Sequence, residues 1–168
     1  WLNEGFTMFV QRKIVEAISP HGRKAFELDA MVGWKALKES VDAYGADHNF
    51  TALVPDLEGV DPDDSFSSVP YEKGFNLLYY LESLVGAERF VSFLRAYVER
   101  FKFDLVSTED FRAMYEEVFP AEGAKVAWDT WLYAPGMPPV TPQFDDSLAK
   151  SAIEVAERWV KGAAPADE

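Results

Sequence analysis

Apolar side chains recur at steps of three and four residues along most of this chain. That spacing restricts it to a mainly helical fold, because residues so spaced share one face of a helix with about 3.6 residues per turn. The pattern begins at once, with Phe6, Phe9, Val10, Ile14, Ala17 and Ile18. It predicts a first helix from about Leu2 to Ile18. Glu4 lies in the first turn of this helix, away from the centre of the apolar stripe.

Turn signals divide the rest of the chain into further helices. Ser19 and Pro20 offer an N-cap and a proline at the first helical position, which predicts a second helical stretch to near Gly45, with Gly33 as a candidate break. Residues 46–70 form an acidic loop, and a loop of this length is more often functional or mobile than filler. Later helices are predicted within residues 71–86, 90–101, 107–115, 128–132 and 148–160. Gly86 is the predicted C-cap of the first of these, and residues 107–110 predict a capping box at the start of the third.

Charge and composition exclude several kinds of partner and site. The 168 residues include 16 Lys and Arg against 29 Asp and Glu, a net charge of −13, whereas proteins that bind nucleic acid need clustered cations. The absence of cysteine excludes disulfides, thiolate metal sites and cysteine nucleophiles. No apolar run approaches the roughly 18 residues of a membrane-spanning helix. We therefore expect no nucleic acid and no membrane among its partners.

The two ends of the chain indicate part of a longer protein. It begins at Trp1 without an initiator methionine, and the helical pattern follows directly, whereas natural termini are usually polar and frayed. A proline-rich stretch that ends at Pro142 is typical of a stiff linker. We expect residues 1–140 to belong to one domain, and residues 141–168 to form the linker and the start of a C-terminal helical domain.

Three side chains are candidates for a functional site, although each also has an ordinary structural explanation. Glu4 suits the positive end of a helix dipole, and Tyr71 suits a helix end as an amphipathic residue. Asp63 belongs to an acidic cluster of the kind that is usually just solvated, although a carboxylate beside a cleft can hold a basic group. His21 and His48 lack the spacing of zinc ligands and are predicted to be surface or helix-end residues. From the residues alone, the structural explanations are favoured.

Three motifs, taken in order, resemble those of the M1 zinc aminopeptidases. The first two are WLNEGF at residues 1–6 and SSVPYEKGF at residues 67–75. The third, WDTWLYAPGMPP at residues 128–139, is similar to the branch that contains leukotriene A4 hydrolase and aminopeptidase B. One motif alone would only be suggestive, but three in this order across nearly the whole chain are specific.

The resemblance implies a fold and a metal. The chain would form the C-terminal helical lobe of a thermolysin-like metallopeptidase catalytic domain, followed by the first helix of an α-helical domain. Family members bind one zinc ion through two histidines of a His-Glu-x-x-His helix and a glutamate on the next helix, which corresponds to Glu4. The His-Glu-x-x-His helix, whose glutamate is the general base, would lie upstream of Trp1. The fragment alone should therefore be inactive.

The resemblance also assigns roles to two further side chains. Tyr71 would donate a hydrogen bond to the tetrahedral oxyanion during metal-assisted hydrolysis. Asp63 would bind peptide substrates, particularly those with a basic N-terminal residue. Members that also hydrolyse the lipid epoxide leukotriene A4 carry a tyrosine five residues before the catalytic one. Here that residue is Phe66, which keeps the ring but lacks the hydroxyl, and this departure disfavours epoxide hydrolysis.

The predicted function is that of a cytoplasmic zinc aminopeptidase, cytoplasmic as in the branch it resembles. Its partners would be peptide substrates and the missing N-terminal part of the same chain. Two alternatives remain open: a non-catalytic helical peptide-binding or scaffold module, and a standalone small helical protein. Substituted histidines upstream of Trp1 would support the module, and cooperative unfolding of this chain alone would support the standalone protein.

Overall fold

The computed structural model describes residues 1–162, within which all regular secondary structure is helical, as predicted. Two short 3-10 helices, Asn49–Thr51 and Pro62–Ser65, lie in the acidic loop. None of the helices in this range is long and apolar enough to cross a membrane. The α-helices are Leu2–Ile18 (α1), Arg23–Tyr44 (α2), Val69–Val85 (α3), Ala87–Phe101 (α4), Thr108–Val118 (α5), Pro120–Gly123 (α6), Trp128–Leu132 (α7) and Ser147–Val160 (α8).

The first three helices pack around a close crossing of α1 and α3. A Cβ atom built on Gly5 would lie 2.8 Å from the Cα of Gly74, so neither position accepts a side chain without movement of the backbone. We call this contact the glycine crossing. Beside it, the buried ring of Phe75 lies 6.4 Å from that of Phe9 and 5.9 Å from that of Phe26 on α2. Close backbone approach and aromatic packing thus hold the three helices together.

Helices α4 and α5 extend the core with further aromatic rings. The centroid of Phe93 on α4 lies 5.9 Å from that of Phe111 and 5.5 Å from that of Tyr115, both on α5. The start of α5 is fixed by Ser107, whose side chain accepts from the backbone N–H of Asp110 while the Asp110 carboxylate accepts from the backbone N–H of Ser107. The predicted capping box is confirmed.

The predicted apolar stripe of α1 is only partly buried. Phe9 lies in the core, but four other members are exposed, namely Val10, Ile14, Ala17 and Ile18. The face of α1 that meets α3 instead runs through Gly5, Phe9 and the charged residue Arg12, all of which are buried. Because Gly5 has no side chain, this face of α1 can approach α3 closely. The charge of Arg12 is neutralised by carboxylates on α2 and α3.

Helix α2 begins later than predicted and is continuous. Ser19 and Pro20 belong to the turn before it, in which the Ser19 hydroxyl accepts from the backbone N–H of His21. The helix starts at Arg23, after Gly22, whose φ of 51° lies in the left-handed region that favours glycine. The predicted break at Gly33 is wrong, since that residue lies buried inside the helix.

The chain after α7 returns across α3 and α2. The ring of Phe144 lies 5.8 Å from that of Tyr79 on α3, and the backbone N–H of Asp145 donates to Glu27 on α2. Helix α8 contacts α2, while every residue from 151 to 160 is exposed. The division into residues 1–140 and 141–168 stays a prediction, and residues 163–168 lie outside the described range.

Candidate active site

Glu4 and Tyr71 occupy equivalent places at the starts of the two crossing helices. Each is the third residue of its helix. The glycine crossing, the contact of Phe9 with Phe75 and the ion pair of Lys13 and Glu82, whose charged atoms are 2.7 Å apart, follow one another in the same direction along both helices. The long side chain of Arg12 reaches back from this line to Glu72. The two first turns therefore lie at the same end of the helix pair. Backbone N–H groups in a first turn have no partner within their own helix, so this end favours negative charge.

The carboxylate of Glu4 borders a cleft and has no hydrogen bond or ion pair with any other described residue. The side chain of Glu4 is half-buried. The cleft has a volume of about 450 Å³ and is also lined by Asn3 and Ser107. The indole of Trp1 forms one wall of the cleft, and its N–H donates to the hydroxyl of Thr108 at 3.1 Å. A carboxylate so placed can bind a metal ion or a cationic group.

Tyr71 is half-buried, and its ring lies beside the acidic loop. The ring meets that of Phe66 edge to face, with centroids 6.3 Å apart and planes at 76°. Phe66 itself is 76% exposed, so this pair lies at the surface. Within residues 1–162 the Tyr71 hydroxyl makes no hydrogen bond. A phenol in this state can donate to a ligand.

The residue that follows Tyr71 is held by a buried ion pair. Arg12 donates to both carboxylate oxygens of Glu72, at 2.8 and 3.0 Å, and to the carboxylate of Asp29 on α2 at 2.7 Å. The Arg12 and Glu72 side chains are only 1% and 8% exposed, so each depends on the other for neutralisation. Gly33 leaves room for the pair, because a Cβ there would collide with both side chains. Arg12 thus joins three helices beside the turn of Tyr71.

Asp63 lies in the second 3-10 helix, with its side chain exposed. The loop that carries it is held by Tyr44, whose hydroxyl donates to the carbonyl of Phe66 at 3.3 Å. Because the Phe66 ring also meets Tyr71, the loop borders the start of α3. The structure thus brings Glu4 and Tyr71 to one end of a helix pair and places the loop of Asp63 beside Tyr71. The chemical roles of the three residues stay predictions.

The described residues contain no group of three or more His, Asp or Glu side chains arranged to hold a metal ion. Zinc sites use three or four protein ligands, and a carboxylate oxygen is an ordinary one. Glu4 therefore fits one position of a zinc site and cannot form one alone. The Nδ1 of His48 accepts from the backbone N–H of Phe50 and caps the first 3-10 helix, while His21 is exposed in the turn before α2. Both histidines have the surface or helix-end positions predicted for them.

The apolar pattern alone does not identify the buried charges around Tyr71. Arg12, Glu72 and Lys73 are all buried. Their positions in the sequence are the one signal of burial. Arg12 follows Phe9 by three residues on the core face of α1, and Glu72 and Lys73 interrupt the apolar surface of α3. Their partners cannot be derived from the pattern, because Arg12 and Glu72 are 60 residues apart in the sequence.

Residues 1–131 match the peptidase family M1 domain. Leucine aminopeptidase 2 of Aspergillus terreus is 47% identical over 165 residues, which cover 95% of this chain and 26% of that protein. A protein named leukotriene A-4 hydrolase homolog, from Botryotinia fuckeliana, is 44% identical over 165 residues, which cover 95% of this chain and 25% of that protein. The chain thus spans about a quarter of the length of these curated relatives.

Solved structures share the fold over almost the whole chain. Native leukotriene A4 hydrolase from Saccharomyces cerevisiae superposes with a TM-score of 0.88 at 41% identity, covering 99% of this chain and 27% of that one. The yeast enzyme in complex with bestatin superposes with a TM-score of 0.87 at 41% identity, covering 96% of this chain and 26% of that one. The helical arrangement described above is therefore common to these proteins.

Proposed function

The chain belongs to peptidase family M1, as its three motifs predict, and we propose that the protein containing it is a zinc-dependent aminopeptidase that hydrolyses N-terminal residues from peptides. The observation that carries this proposal is the position of Glu4 and Tyr71 in first turns at one end of a helix pair. The relatives named leucine aminopeptidase 2 support it. Because the chain spans about a quarter of their length, the activity is proposed for the whole protein.

We assign one zinc ligand to Glu4. Its half-buried carboxylate borders a cleft and is unpaired within the described part of the chain. The other ligands, two histidines by family resemblance, and the general base would come from residues outside this chain. When bound, zinc supplies polarisation of the scissile carbonyl and a water of lowered pKa.

Tyr71 is proposed to donate a hydrogen bond to the oxyanion that forms when water adds to the scissile carbonyl. A phenol is protonated near neutral pH. Its neighbour Glu72 is bound through both carboxylate oxygens to buried Arg12, which restricts the turn that carries the phenol. A donor positioned in advance needs little reorganisation when charge develops in the transition state. Tyr71 would therefore act on a charge that the ground state lacks.

Asp63 is proposed to bind the positive end of the substrate. Its exposed carboxylate stands on the loop that borders Tyr71, among other acidic residues. A carboxylate forms strong charge-assisted hydrogen bonds with a guanidinium or ammonium group. The net charge of −13 also favours the approach of cationic peptides. We therefore propose a preference for peptides with N-terminal arginine or lysine.

The proposal is confined to peptide hydrolysis. The Botryotinia fuckeliana relative is named as a leukotriene A-4 hydrolase homolog, and the solved yeast structures are of leukotriene A4 hydrolase. Phe66, however, lacks the hydroxyl that epoxide-hydrolysing members have at this position by family resemblance. Its ring can pack against Tyr71 but cannot donate or accept a conventional hydrogen bond.

The proposal is tested on the full-length protein by zinc analysis and by hydrolysis of alanyl and arginyl arylamides. We expect the wild type to hold one zinc ion and to cleave both substrates, and Glu4→Ala to lose most of the zinc and the activity. Glu88→Ala, which removes an exposed first-turn glutamate from α4, serves as the control and should retain both. A wild type that cleaves neither substrate would favour the scaffold module instead. Full zinc content in Glu4→Ala would remove this residue from the metal site.

A further inference from the structure

Lys73, two residues after Tyr71, is fully buried without a carboxylate partner in the described part of the chain. Its ammonium group donates to three backbone carbonyls, each at 2.9 Å, those of Thr51, Ala134 and Gly136. An ammonium group has three N–H donors, so this arrangement uses all of them. Burying an unpaired charge is costly, and three carbonyl dipoles reduce that cost.

The same cluster joins two loops to each other. The backbone N–H of Gly136 donates to the Thr51 hydroxyl at 2.7 Å, and that hydroxyl donates to the carbonyl of His48 at 2.7 Å. Gly136 has a φ of 85°, and a Cβ there would lie only 3.0 Å from the carbonyl oxygen of Ala46. The turn at 134–136, which belongs to the third sequence motif, is therefore shaped to present its carbonyls to Lys73.

We propose that Lys73 is a positioning residue for Tyr71, fixing the rotation of the first turn of α3 by fastening it to Thr51 and to the turn at 134–136. This inference rests on the proposed function. Residues two apart on a helix point about 200° apart around its axis, so a lysine held in the core directs the tyrosine toward the opposite side. The ion pair of Glu72 and the glycine crossing restrain the neighbouring residues of the same turn.

Lys73 has either a positioning role or only a structural role, and the two roles predict different kinetics. If it positions the phenol, its loss reduces the stabilisation of the transition state and leaves substrate and zinc binding nearly unchanged. A misplacement of about 1 Å can lower the rate by about 100-fold. If Lys73 only stabilises the fold, its loss lowers the melting temperature, and the molecules that remain folded keep their kcat.

The test uses the full-length protein, with Lys73→Met as the main variant and Lys125→Met, at an exposed lysine, as the matched control. We expect Lys73→Met to lower kcat by about 10- to 100-fold, with KM and zinc content close to wild type, and the control to change none of them. Thr51→Val removes the acceptor for the Gly136 N–H while keeping Lys73. It should give the same pattern with a smaller loss, and it replaces Lys73→Met if that variant does not fold.

A second measurement does not depend on catalysis. A fluorotyrosine introduced at position 71 reports the state of the ring through its fluorine NMR line. We expect one sharp line in the wild type and in Lys125→Met, and a shifted or broadened line in Lys73→Met and Thr51→Val. An unchanged line together with an unchanged kcat in folded Lys73→Met would overturn the inference. A wild type without peptidase activity would overturn the proposed function only, and the fluorine line would still decide whether Lys73 positions Tyr71.

Discussion

Gly5 and Gly74 are in direct backbone contact where α1 crosses α3. A Cβ built on Gly74 would lie 2.9 Å from the Cα of Gly5 and 3.5 Å from the carbonyl oxygen of Trp1. The contact joins the turn that contains Glu4 to the turn that contains Tyr71. The proposed zinc ligand and the proposed oxyanion donor are therefore held in relation to each other by a backbone contact in which neither side chain takes part.

Gly74→Ala should force the two helices apart. Extra volume in a packed site costs about 1–3 kcal/mol, and backbone atoms cannot move aside as a flexible side chain can. We expect a lower melting temperature together with a lower kcat, because the turns of Glu4 and Tyr71 separate. Thermal unfolding and arylamide kinetics of the full-length protein measure both, with Arg95→Ala on the exposed side of α4 as the control. Unchanged values would show that the crossing can relax.

Arg12→Met should be strongly destabilising, since it leaves the buried carboxylate of Glu72 without its partner. Breaking a buried pair in this way typically costs about 3–5 kcal/mol. The double variant Arg12→Met/Glu72→Gln should recover part of the loss. Arg100→Met, which removes an exposed ion pair with Glu117, should cost less than about 1 kcal/mol. Urea unfolding followed by circular dichroism compares the variants, and equal losses for both arginines would contradict the assigned burial.

Tyr71→Phe should lower kcat by roughly 100- to 1000-fold, the usual effect of removing one donor to an oxyanion. The ring stays, so its contact with Phe66 and the zinc content should not change. Tyr133→Phe, which removes an exposed hydroxyl that donates to Glu109, is the control and should leave kcat unchanged. Wild-type turnover in Tyr71→Phe would exclude the proposed role.

Asp63→Asn should reduce kcat/KM for arginyl substrates more than for alanyl substrates. The expected difference is roughly 10- to 100-fold, the range for a hydrogen bond to a charged group. The adjacent acid provides a matched control, since Asp64→Asn removes the same charge from the same 3-10 helix. Equal losses for both substrates, or equal effects of the two variants, would show that only the general charge of the loop matters.

Lys73 should titrate at an unusually low pH. Burial lowers the pKa of its ammonium group from 10.5 to about 8. Between these values the unfolded chain binds more protons than the folded one, so this group makes stability rise with pH across that window. Below about pH 8 the cost of the buried charge is fully present. Side-chain NMR should show a midpoint near 8 for Lys73. A midpoint near 10.5 would show that the three carbonyls fully offset burial.

The starts and ends of the helices could largely be predicted, because the signals are local. The first helix has its predicted bounds, the capping box at Ser107 is confirmed, and α3 ends before Gly86 as predicted. The start of α2 was not predictable from Ser19 and Pro20, since those residues also suit the turn that the structure forms there. Local signals of this kind indicate which backbone conformations a segment can adopt, and tertiary packing selects one of them.

The candidate site, like the helix boundaries, could be predicted from the sequence only in part. The three motifs lead to the M1 family and contain Glu4 and Tyr71, and the family resemblance also assigns a role to Asp63. These candidates could be found because residue identity at fixed spacing is carried by the chain itself. The burial of Arg12 and Lys73 was decided by tertiary structure alone. A buried charge is tolerated only where distant groups meet it, and Lys73 finds acceptors 22 and 63 residues away in opposite directions along the chain. Helical periodicity has a range of a few residues and cannot encode such pairings.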